Sequence, residues 1–101
     1  MDREELYTQY TNIQKTLVEG IKKVREGLLD VKSAIAGAKI IDPSVKINTE
    51  DLFWCDNAIR RLGIQAIAEL ATAGRRAGLS LPDDEVVQPI REFLQVPSVL
   101  R

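Results

Sequence analysis

The sequence predicts an all-α protein, a single helical domain over residues 1–101 built as a long antiparallel helical hairpin with a shorter, proline-broken third helix packed across it as a small bundle. Two observations predict it. From Leu6 to Ala38 the apolar residues Leu6, Tyr10, Ile13, Leu17, Ile21, Val24, Leu28, Val31, Ile35 and Ala38 fall, with Gly20, within an arc of roughly 100° at helical spacing. After the break at Asp42-Pro43 a second apolar stripe repeats the same period as far as Ala77.

Helix 1 is expected over about residues 3–41. Asp2, Glu4 and Glu5 suit the positive end of its dipole, and Lys39 suits the negative end. A helix of about 38 residues is ~57 Å long, whereas a compact chain of this size has a diameter near 33 Å. The helix therefore bends, or its ends are covered by something other than this chain, which favours an elongated interaction protein over an enzyme with a pocket. Gly20, Gly27 and Ala34 recur at seven-residue spacing along it, where small residues permit either a bend or the close approach of another helix. They are the candidate oligomer seam.

Proline disfavours helical geometry in the residue before it, so Asp42-Pro43 stops helix 1. Helix 2 is expected over about 49–77, with Asn48 as N-cap, Glu50 and Asp51 in the first turn, Arg75 and Arg76 near the end and Gly78 as terminator. Its core stripe reads Leu52, Cys55, Ile59, Leu62, Ala66, Leu70, Ala73 and Ala77, and Phe53, Ile64, Ile67 and Ala71 widen the apolar arc to roughly 200°, enough for contacts on two sides. Helix 3 is expected over about 81–95. Ser80-x-x-Asp83 resembles a capping box, Pro89 predicts a kink or restart, Val86, Val87, Ile90, Phe93 and Leu94 form the apolar side, and the last four residues are expected to be loose.

Composition narrows the chemistry. Lysine and arginine number 14 against 15 acids, so no global field attracts nucleic acid or an anionic membrane, and no apolar run approaches the ~20 residues of a membrane span. The absence of histidine removes the usual nucleophilic triads, imidazole proton shuttles and histidine metal ligands. A single cysteine excludes an internal disulfide and suits a reducing, cytoplasmic setting. Cys55, on the apolar stripe beside Asp56, reads as a structural residue whose surroundings disfavour the thiolate. The acidic run Asp83-Asp84-Glu85 reads as a helix start rather than a cation site, and no metal or cofactor is expected.

The candidate contact residues are Trp54, Arg60, Arg61, Arg75, Arg76, Tyr7 and Tyr10. Arg60-Arg61 and Arg75-Arg76 could cradle a phosphate or carboxylate through guanidinium forks. The competing reading pairs Arg60 with Asp56 one turn back and sets Arg75 and Arg76 against the helix dipole. Lys22, Lys23 and Arg25, flanked by Glu19 and Glu26, read as a solvated face. Trp54 projects away from the core stripe beside Arg61, so either helix 3 covers it with Phe93 or Leu94, or it meets a partner. Tyr7 and Tyr10 suit an interface, and Tyr10 equally suits the core.

Two functions follow. The first is a non-enzymatic protein–protein interaction module, homo-oligomeric, acting on another protein as adaptor, inhibitor or regulator. The second is a binding or sequestering protein for a small anionic ligand such as a nucleotide, of the kind a virus or phage encodes.

Overall fold

The computed structural model describes residues 1–99, which form α1 (Arg3–Ile41), α2 (Glu50–Arg76) and α3 (Asp83–Leu94). All three helices touch one another. The chain measures 61 × 18 × 17 Å, the long axis matching the ~58 Å of a 39-residue helix.

The Asp2 carboxylate accepts from Glu5 N at 2.8 Å, which makes Asp2 the N-cap of α1 rather than a first-turn residue. The helix then runs uninterrupted through Gly20 and Gly27. At its end Asp42 turns extended and its Oδ1 accepts from Ser44 N at 3.0 Å and Ser44 Oγ at 2.7 Å; the hydroxyl and then the amide hold this carboxyl below its ordinary pKa.

The start of α2 departs from expectation. Thr49 is the N-cap and makes no side-chain cap bond, while Asn48 acts from one position earlier, its Oδ1 accepting from Glu50 N at 2.9 Å. The C-terminus follows the glycine rule: Gly78 adopts φ 105°, its N–H reaches Arg75 O at 3.1 Å, and Leu79 N reaches Gly74 O at 2.9 Å. This paired closure satisfies two terminal carbonyls, and the positive φ is what glycine supplies.

The buried face of α2 differs from the predicted stripe. Asp56, Gly63, Ile67, Ala71 and Gly74 are buried, which rotates the core by roughly 90° from the centre of the predicted stripe. Two glycines decide this. A Cβ on Gly63 would meet Ile21 Cδ1 at 2.5 Å and the Phe93 ring at 3.2 Å, and one on Gly74 would meet Leu81 at 3.0 Å and Tyr10 at 3.2 Å. The glycine side of α2 gives α1 room for a close approach, Cys55 and Leu62 turn outward, and Cys55 is exposed rather than shielded.

Two apolar clusters hold the bundle. Near one end Tyr10, Ala71, Leu79 and Leu81 pack together, and further along Val18, Ile21, Ile67 and Phe93 form the deeper cluster. Tyr10 therefore belongs to the core. Its hydroxyl is raised above the ordinary tyrosine pKa of 10.0, first by burial and then by Glu85. Because the raised value belongs to the folded state, its contribution is complete below the unfolded pKa and is lost as pH rises through the folded one. Tyr10→Phe should accordingly flatten the alkaline fall of the melting temperature above about pH 10; an unchanged alkaline limb would show that Tyr10 does not drive it.

α3 starts at Asp83 with Pro82 as its N-cap and no side-chain cap bond, so Ser80 does not form the expected capping box. Pro89 lies buried inside a continuous helix, without the expected restart. Proline has no N–H to give to the carbonyl four residues back. That carbonyl, Glu85 O, instead accepts from Gln14 Nε2 of α1 at 3.2 Å. The missing bond has become an interhelical one. Residues expected to be loose after α3 are tied down as far as Val99: Ser98 Oγ donates to Asp56 Oδ2 at 3.1 Å and Lys32 Nζ to Val99 O at 3.0 Å, while Leu100 and Arg101 lie outside the described residues.

Candidate interaction surface

The polar chemistry inside the bundle centres on Arg25 and Asp56, which are 1% and 0% exposed. Arg25 Nε donates to Asp56 Oδ1 at 2.9 Å, and Arg25 Nη1 donates to Phe93 O at 2.7 Å. With Ser98 on the second carboxylate oxygen, the cluster joins α1, α2, the end of α3 and the C-terminal segment. This corrects two expectations: Arg25 is not part of a solvated basic face, and Asp56 pairs across the bundle rather than with Arg60. Among the described residues no buried side-chain polar atom lacks a partner, so this charge pair is structural and fully satisfied.

The arginines do not assemble a cradle. Arg75 Nη2 donates to Leu81 O at 2.6 Å and reaches Asp83 Oδ1 at 3.2 Å, and Arg75 Nε donates to Leu81 O at 3.1 Å, clamping the α2–α3 connection. Arg60 and Arg61 lie fifteen residues earlier, ~22 Å along the axis. Tyr7 sits elsewhere, in a shallow groove between α1 and α3 where its hydroxyl donates to Glu85 Oε2 at 3.4 Å.

Trp54 is 55% exposed and stands edge-on to Phe53, ring centroids 5.5 Å apart at 81°. Phe93 does not cover it, because that ring fills the centre of the core. The face around Phe53 and Trp54 is open, with Val99 and Lys32 at one side.

A larger open face lies along the hairpin. On α1, Val18 turns toward α3, Ile21 and Tyr10 turn toward α2, and continuing round the helix come Ile13, Val24 and Val31, which are 46–53% exposed. On α2, Arg75 and Ala71 turn toward the α3 side, Gly63 and Gly74 toward α1, and the next positions round are Cys55 and Leu62, the latter 57% exposed. Both exposed sets therefore share the side of the hairpin away from α3. Gly20 and Gly27 lie there too, with nothing within 4 Å of a Cβ built on either, and Ala34 is exposed beside them. The predicted seam is not used within the chain.

A signal for this face is present in the sequence beyond the glycine spacing. Positions 6, 10, 13, 17, 20, 24, 27, 31, 34, 38 and 41 alternate steps of four and three, the seven-residue pattern of a helix that packs lengthwise on another. Ile21, Leu28 and Ile35 adjoin that line on one side, and they supply the flank that turns toward the bundle. The apolar stripe of α1 is thus wide enough for two neighbours, of which this chain provides one.

The molecule defined by these features is a three-helix bundle with an uncovered hairpin face. No family profile, curated protein or solved structure matches this chain.

Proposed function

We propose that this chain is a non-enzymatic protein–protein interaction module that presents the α1–α2 hairpin face to another protein surface, acting as an adaptor, inhibitor or regulator. The observation that carries the reading is the exposure of Ile13, Val24, Val31 and Leu62 on the side of the hairpin that α3 leaves bare. Large apolar side chains exposed together on one face are a liability for a free chain and an asset for one that binds. Two facts support the reading further. The buried charges satisfy each other, and no buried side-chain polar atom among the described residues lacks a partner, while the arginines that an anionic ligand would need are separated or engaged in clamping a loop. The absence of histidine weighs in the same direction.

A photo-cross-linking residue placed at Val24 or Val31, in cells that make the protein, should give covalent protein adducts. The same residue at Asn12 or Glu26, exposed positions outside the seam, should not. Seam positions that give no protein adduct would overturn the reading.

A further inference from the structure

We infer that the occupant of the open hairpin face is a second copy of this chain, with α1 antiparallel to the partner's α1 across a two-fold axis near residue 26; this rests on the interaction-module reading and names its partner. Three independent features give the same axis. The first is side-chain size. In this register Val24 packs on the partner's Gly27 and Val31 on the partner's Gly20, so each larger side chain meets a small one. Gly20 and Gly27 have the open space this needs, with nothing within 4 Å of their Cβ positions. A parallel pairing in register would instead set glycine on glycine and valine on valine.

The second feature is charge. Lys23 and Asp30 flank the seam on the side away from α2, both exposed. The same register places Lys23 opposite the partner's Asp30, and Asp30 opposite the partner's Lys23. A shift of one heptad in one direction brings Lys23 onto the partner's Lys23, and a shift in the other brings Asp30 onto the partner's Asp30. Like charges then oppose the alternatives, which is how antiparallel helices fix register.

The third feature comes from α2. Ile21 lies beside Gly63 and Tyr10 beside Gly74, so the level of residue 26 on α1 is that of residue 58 on α2. Residue 58 stands midway between Cys55 and Leu62, the outward apolar pair of α2, and the same two-fold therefore lays Leu62 on the partner's Cys55 and the reverse. Area agrees as well. Helices overlapping from about residue 10 to 41 give a face ~48 Å long, and at the 18 Å width of the molecule this is roughly 850 Å² on each subunit, the size of a standard stable interface.

The test is the mass of the purified full chain by sedimentation equilibrium from about 1 to 200 µM, with variants at exposed positions only. The wild type should be a dimer. Lys23→Asp and Asp30→Lys should each weaken it roughly fivefold or more, since two opposed pairs become two like-charge pairs, and the loss should shrink in 1 M salt. The double variant should return to within about twofold of wild type. Gly27→Leu, which meets no atom within the chain, should keep its helical circular dichroism and be a monomer. A monomeric wild type at 200 µM, single reversals without effect, a double variant that does not recover, or a dimeric Gly27→Leu would each overturn the inference. A monomer that still cross-links to a different protein from Val24 and Val31 would overturn the second copy while leaving the interaction module standing.

Discussion

Replacing Asp56 with alanine should destabilise the fold by about 3–5 kcal/mol, because it leaves the Arg25 guanidinium buried with no counter-charge. Arg25 is 1% exposed and would keep the Phe93 carbonyl as acceptor, and the bond from Ser98 of the C-terminal segment to the Asp56 carboxylate would be lost. Against a total stability of ~5–15 kcal/mol, such a loss leaves a small chain close to unfolding at 37 °C. The check is urea unfolding followed by circular dichroism, with Glu26→Ala as an exposed acid outside the seam that should change stability by no more than about 0.5 kcal/mol. Replacing both partners, as Arg25→Met with Asp56→Leu, should cost less than Asp56→Ala alone, since an apolar pair avoids the desolvation that the ion pair must offset. A loss under about 1 kcal/mol for Asp56→Ala would mean that water reaches the pair.

Phe93→Ala should cost about 3–5 kcal/mol by the same measurement. The ring is 0% exposed and lies against Val18, Ile21, Ile67 and the face of Gly63, so its removal opens a cavity where all three helices meet. Neighbouring side chains cannot collapse into the space without moving the Phe93 backbone that Arg25 grips. Trp54→Ala offers the contrast: a larger side chain is removed, but one more than half exposed, and the loss should stay below about 1 kcal/mol. If Trp54→Ala proves the more destabilising of the two, the ring that anchors the bundle has been wrongly identified.

The sequence alone determined the elements. Periodicity, Asp2, Pro43 and Gly78 act within a few residues of themselves, and local backbone geometry decides where a helix begins and ends. The boundaries of α1, α2 and α3 accordingly fall within two residues of those the pattern predicts. The seven-residue spacing of Gly20, Gly27 and Ala34 was also legible as a line of small residues, though nothing local says whether such a line faces inward or outward.

What the tertiary structure decided was rotation. An apolar arc of roughly 200° on α2 is satisfied by several facings, and the choice among them fell to how closely the backbones can approach. Gly63 and Gly74 give Ile21, Phe93 and Tyr10 room that a Cβ would crowd, and the hairpin turned its glycines inward although hydrophobicity favoured Cys55 and Leu62. The same rotation carried Asp56 into the core and required a buried cation beside it. Arg25, 31 positions away, met that requirement, and no local pattern could pair the two. It also left Leu62 in solvent, on the side of the hairpin where Ile13, Val24 and Val31 of α1 lie exposed. The facing of α2 follows close packing between helices, which no single helix can specify, and it leaves Leu62 on the open face.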